Sequence, residues 1–144
     1  MSKLNTYLNF AGNTEEAFNF YKSVFGGELT HIVRFKDMPI KGVSIPKKDE
    51  NKVMHVGLPV GKDQMLMATD TLESLGQKLI QGNNVYISIH PDSKKEADRI
   101  FKALSTGGTV EMPISDQQWG DYFGSFKDKF GVWWMVNYSY PKKK

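Results

Sequence analysis

The chain contains no cysteine among its 144 residues, which excludes disulfides, thiolate nucleophiles and cysteine-based zinc sites. Any metal would have to rest on Asp, Glu or the three histidines, His31, His55 and His90. No apolar run approaches the roughly 20 residues that span a bilayer. The opening MSKLNTYLNF carries no apolar core ahead of a small-residue cleavage site, so a cytoplasmic, unprocessed protein with no membrane partner is expected. There is no GxSxG elbow and no GxxxxGK phosphate loop, so triad hydrolysis and P-loop chemistry have no support.

Charge of one sign is also scarce. The formal net charge is +3, and the excess sits at Lys47–Lys48 and in the run Lys142, Lys143, Lys144. That is a solvated loop and tail rather than one basic face, so no nucleic-acid partner is expected. With 40% hydrophobic residues, the chain has an ordinary globular composition and is long enough for one domain with a real core.

What is present is a helix written twice. Residues 16–27, EAFNFYKSVFGG, follow a strand-like LNTYLNF (4–10). Asn13 and Glu16 have the spacing of a capping box. Ala17, Phe20, Tyr21 and Val24 form one apolar stripe, and Gly26–Gly27 supplies a left-handed stop. The second copy follows NVYISIH (84–90): Ser93 with Glu96, then Ala97, Ile100, Phe101 and Leu104, then Gly107–Gly108. Start signal and buried face agree in register and the end signal recurs one residue displaced, which together points to an internal duplication.

Strand patterns follow each helix: 27–35, 52–60 and 64–70 in the first half, and 108–114, 119–126 and 132–138 in the second. The predicted fold class is α+β, two βαβββ modules in tandem (4–70 and 84–138, with 71–83 as linker) within a single 1–144 domain. A four-stranded sheet with one helix leaves one face uncovered, so the two are expected to curl around a shared cleft.

These stretches carry a resemblance. YLNFAGNTEEAFNFYKSVFGG paired with WGDYFGSFKDKFGVWWMV is similar to the vicinal oxygen chelate superfamily, which includes glyoxalase I, bleomycin-resistance proteins and extradiol dioxygenases, and within it to the PhnB-like branch. The resemblance covers about Leu4 to Tyr138. It implies the glyoxalase/bleomycin-resistance/dioxygenase fold around a U-shaped cavity, usually in a homodimer. Catalytic members hold a divalent metal with side chains from the first and last strand of each module, acting as a Lewis acid. If the chain is an enzyme, the resemblance implies a lyase or dioxygenase. Carried over, the ligand positions fall at Thr6, Met67, Tyr86 and Met135. None is a good ligand for a hard or borderline cation, so no metal and no other cofactor is expected. His55, with Asp70 and Glu28, is the alternative polar grouping.

Side-chain alternation on the last strand puts Trp133, Met135 and Asn137 on one face and Trp134 on the other. With Met65, Met67, Tyr86, His55 and the neighbouring Trp119, Tyr122 and Phe123, this predicts an aromatic, methionine-rich cleft for a small apolar or aromatic ligand. His55, Tyr86 and Asn137 would orient the ligand. PhnB-like sequences also carry a 3-demethylubiquinone 3-methyltransferase label, but FAGNTEEAF has a single Gly and lacks the Gly-rich turn after a parallel strand that commonly holds S-adenosylmethionine.

Overall fold

The computed structural model describes residues 1–142; Lys143 and Lys144, expected in the solvated tail, lie outside the described residues. The chain divides into two compact units, Met1–Ile80 and the part from Gln81 onward. Among the described residues no helix is long and apolar enough to cross a membrane.

The first unit contains β1 (Thr6–Phe10), α1 (Thr14–Phe25), β2 (Val33–Arg34), β3 (Val53–Val60) and β4 (Gln64–Asp70). Its sheet order is β1-β4-β3-β2, with β4 parallel to β1 and antiparallel to β3. The helix carries the chain from one edge of the sheet to the other, and the returning meander places β4 beside β1. The second unit repeats the order with β5 (Ile87–Ile89), α2 (Lys94–Ser105), β6 (Thr109–Asp116), β7 (Asp121–Lys127) and β8 (Trp133–Ser139), as β5-β8-β7-β6. The chain thus has the tandem βαβββ fold that the repeated signals predict.

Each helix buries one stripe on its own sheet. Along α2, Ala97, Ile100, Phe101 and Leu104 are buried, as the spacing requires. Phe101 meets Phe126 edge-on with ring centroids 5.0 Å apart, and Trp134 and Val136 complete the layer. Along α1 the buried set is Thr14, Ala17, Phe18, Tyr21 and Val24. Phe18 packs edge-on to Phe10 and Tyr21, whereas Phe20, expected in the stripe, is only half-buried.

The two helix starts differ. Ser93 Oγ accepts the Glu96 amide at 3.0 Å, as half of the predicted box. Asn13 makes no side-chain cap bond. Its expected role falls to Asp70, at the end of β4, whose Oδ1 accepts the Gly12 and Thr14 amides and the Thr14 hydroxyl.

The strand expected over 27–35 shrinks to Val33–Arg34. At Gly57 the ladder is interrupted because the amide donates to the Thr30 hydroxyl at 2.8 Å, while only the Gly57 carbonyl accepts a backbone N–H, from Thr30. A threonine side chain has taken the donor that a further strand pairing would need. Strand β6 extends beyond its expected end and contains register shifts between Val110 and Met112 and between Met112 and Ser115. Pro113 lies in that irregular part of an edge strand, where its missing N–H breaks no inner ladder.

Candidate functional site

Alternation divides each sheet into a face covered by its helix and an open face. In the first unit Leu66, Ala68 and Asp70 are buried on the helix side, while Met65, Met67 and Thr69 are half-buried on the other. The parallel register pairs Thr6 with Leu66 and Tyr7 with Met67. Thr6 therefore lies on the helix-covered face, and the assignment of that position to the open face is corrected: the residue beside Met67 there is Tyr7. A one-residue slip in a strand exchanges the faces.

His55 lies on the same open face. Its Nδ1 is 3.2 Å from the Tyr7 hydroxyl and the two rings are tilted at 5.8 Å. Partial burial raises the Tyr7 hydroxyl above its usual pKa. Met65 folds over Gly57 so closely that a Cβ there would stand 2.9 Å from its sulfur. Neither Asp70 nor Glu28 joins His55. The Asp70 carboxylate is committed to backbone N–H groups near α1 and at Val53, and Glu28 pairs with Lys22 at 3.0 Å.

In the second unit β8 is the inner floor strand. Ser88 pairs with Met135, Met135 with Ser125, Asn137 with Phe123 and Trp133 with Lys127, so these share the open face. Tyr86, just ahead of β5, leans on Trp133 with ring centroids 5.4 Å apart, and the Lys127 ammonium lies 5.7 Å from the Trp133 ring centre. Trp119 precedes β7, is 61% exposed and meets Phe123 edge-on at 5.7 Å. Asn137 donates to Asp121 Oδ2 at 3.1 Å. Tyr122, expected with Phe123, points to the opposite face, where its hydroxyl donates to Asp98 on α2. Trp134 is buried on that side, and its indole N–H donates to Asp128 at 2.8 Å.

The structure thus distributes the expected site residues over two open faces: His55, Met65 and Met67 on the first sheet, and Tyr86, Phe123, Trp133, Met135 and Asn137 on the second, with Trp119 at its end. Glu111 joins them without having been foreseen. Its carboxylate accepts from the Tyr86 hydroxyl at 2.9 Å on each oxygen and from Ser125 Oγ at 2.9 Å. The Glu111 bond, with partial desolvation, raises the Tyr86 hydroxyl pKa and keeps it a neutral donor. The β6 register shift hides this placement from simple alternation. The one available signal was a lone charge within the apolar stretch GTVEMPI.

The donors at the positions to which the resemblance assigns metal ligands, with Tyr7 in place of Thr6 as the open-face residue, are two phenols (Tyr7 and Tyr86) and two thioethers (Met67 and Met135). These do not fit a divalent cation that favours imidazole or carboxylate. Among the described residues no group of three His, Cys, Asp or Glu side chains comes together in a way that would hold a metal. His31 is exposed, and His90 Nε2 lies 3.0 Å from Ser88 Oγ.

Comparison with known proteins identifies the family. A family model described as 3-demethylubiquinone-9 3-methyltransferase matches residues 2–137. The crystal structure of protein PA1353 from Pseudomonas aeruginosa is 39% identical, with a TM-score of 0.84, covering 96% of this chain and 98% of that one. The PhnB protein from Bacillus cereus is 27% identical with a TM-score of 0.76, covering 96% and 100%. A glyoxalase/bleomycin resistance protein/dioxygenase family enzyme from Burkholderia phytofirmans, 19% identical with a TM-score of 0.62 over 94% and 98% of the two chains, shares the fold. The duplicated modules and their strand order give the chain the fold of the glyoxalase/bleomycin resistance protein/dioxygenase neighbour, and the match over residues 2–137 makes it a member of the family described as 3-demethylubiquinone-9 3-methyltransferase.

Proposed function

We propose that this chain binds a small aromatic or flexible apolar molecule on the open face of its second sheet, without a resident divalent cation, and that its working form is a homodimer. The observation that carries this reading is the half-exposed aromatic floor of Trp133 and Tyr86. Met135 and Phe123 flank it by strand pairing. Aromatic rings supply large contact area with few rotors to freeze, and a thioether adapts to irregular ligands. Asn137 is the orienting polar group. His55, Met65 and Met67 offer the same chemistry on the first sheet.

No observation favours a metal-dependent lyase or dioxygenase, because the phenol and thioether donors supply no such site. The family description names a methyltransferase, yet α1 follows β1 through Ala11–Gly12–Asn13, with one glycine and an N-terminus already filled by the Asp70 carboxylate.

The test uses 4-phenylbutanol as a neutral aromatic probe, titrated while the tryptophan indole N–H resonances are followed by NMR. The Trp133 resonance is expected to shift with a micromolar Kd, and Trp133→Ala should weaken binding about tenfold or more. S-adenosylmethionine at millimolar concentration should leave both the resonances and the melting temperature unchanged. An unmoved Trp133 signal at millimolar probe overturns the reading, and a melting temperature raised by S-adenosylmethionine moves it to the methyltransferase.

A further inference from the structure

Among the described residues, Glu111 is a carboxylate with no cation paired to it. Its two oxygens are held by neutral hydroxyls, those of Tyr86 and Ser125. Ion pairs among the described residues join Lys22 to Glu28, Arg34 to Glu15, Lys52 to Asp49 and Arg99 to Glu96, and none of these reaches Glu111. Its position is also unusual. It falls within the register shift between Val110 and Met112 on the edge strand β6, and such irregularities re-aim side chains. From there it meets Tyr86, which comes from the opposite edge of the same sheet, so the pair spans the open face.

The neighbouring rings suit a cation. Tyr86 connects the two chemistries directly: its hydroxyl touches Glu111 and its ring leans on Trp133. The Trp133 ring already carries the Lys127 ammonium near its face. The charged groups of this face are Asp121 and Lys127, by strand pairing, and Glu111, by its bonds to Tyr86 and Ser125, which sum to one negative charge (−2 + 1). Asp121 is engaged with Asn137, leaving Glu111 as the carboxylate that meets the aromatic floor.

We infer that Glu111, with the rings of Tyr86 and Trp133, forms a recognition site for the ammonium group of an aromatic amine bound on the open face of the second sheet. The inference rests on the proposed binding reading and adds the ligand's charge to it. The ammonium would donate a charge-assisted hydrogen bond to the carboxylate and make an electrostatic contact with the ring faces. Tyr86 would give up one of its two contacts with Glu111 and keep the other.

The experiment compares three probes of one shape on the full chain: 4-phenylbutylamine, 4-phenylbutanol and 4-phenylbutyrate, each followed through the Trp133 indole signal. The amine is expected to bind about tenfold more tightly than the alcohol at low salt, and the advantage should shrink as salt rises. Glu111→Gln keeps the size and one acceptor oxygen for the hydroxyls but removes the charge. It should abolish the amine's advantage over the alcohol, and a far-ultraviolet circular dichroism spectrum matching that of the unsubstituted chain verifies that the variant is folded. Equal affinity of amine and alcohol for the wild-type protein overturns the ammonium site and leaves the binding reading standing. Tightest binding of the butyrate overturns it too and assigns recognition to Lys127. No binding of any probe removes the aromatic-face reading itself.

Discussion

Asp70 ties three elements together through one side chain. From the end of β4 it accepts the Gly12 and Thr14 amides at 3.0 Å and the Thr14 hydroxyl at 2.6 Å, while its other oxygen accepts the Val53 amide of β3 at 2.8 Å. It is 2% exposed, so no water replaces a lost acceptor. The carboxylate also sits at the positive end of the α1 macrodipole. Asp70→Asn keeps the volume but turns one acceptor into an NH2 facing N–H donors, leaving buried groups unsatisfied. A loss of about 2–4 kcal/mol is expected in urea denaturation with an unchanged slope. Asn13→Ala, at the position that looks like the cap, should change stability by no more than about 0.5 kcal/mol, since Asn13 makes no cap bond. A larger cost for Asn13 than for Asp70 would refute this account of the helix start.

The paired glycines after each helix look alike as sequence and differ as structure. Gly26 and Gly107 both have positive φ, 78° and 80°, and each turns the chain out of its helix. The second members diverge. Gly27 keeps φ at 82° with only the Pro59 carbonyl nearby at 3.8 Å, whereas a Cβ on Gly108 would lie 2.1 Å from the Lys127 carbonyl oxygen and under 3 Å from the Asp128 backbone. Gly108 is therefore the point where the start of β6 touches the β7–β8 turn. Gly27→Ala should cost about 1–2 kcal/mol through the left-handed backbone alone. Gly108→Ala should cost more, about 3 kcal/mol or above, because backbone must move; thermal melts that rank the two the other way would overturn the contact. The same contrast explains what was legible beforehand. The α2 stripe and strands β3, β4 and β8 could be read because their apolar periods are local properties of the chain. Strand β2 could not, because the Thr30 hydroxyl competes for the Gly57 amide from 27 residues away. The resemblance's first-strand position falls at Thr6, one residue from the open-face Tyr7, because the helix register that carries it over does not fix the β1–β4 pairing, and Glu111 is hidden because its placement depends on the β6–β7 register.

Across the whole chain, titratable contacts set a window of pH in which the fold is most stable. At the acid side, Asp49 is held below the usual carboxylate range by the Lys52 ammonium and the Ser74 hydroxyl, and Glu96 by Arg99. Groups with lowered folded pKa values contribute stability above their unfolded values, about 4, and lose it as pH falls through the folded values. At the alkaline side, the Tyr122 hydroxyl, donating to Asp98, and the Tyr140 hydroxyl, donating to Asp116, are each pushed up to about 12. The sign is then reversed. Their contribution is fully present below the unfolded tyrosine value of about 10 and disappears as pH rises through about 12, when a phenolate would face a carboxylate. The melting temperature should therefore be level between about pH 5 and 9, fall on acidification below about pH 4, and fall again between about pH 10 and 12. Tyr122→Phe removes the proton that is lost while keeping the ring beneath the Lys94 ammonium, 4.7 Å from its centre. It should lower the melting temperature slightly at pH 8 and make the decline from pH 10 to 12 shallower. An alkaline slope identical to that of the unsubstituted chain would show that the Tyr122–Asp98 bond does not set the upper edge of the window, and would leave Tyr140 and the general loss of lysine charge to account for it.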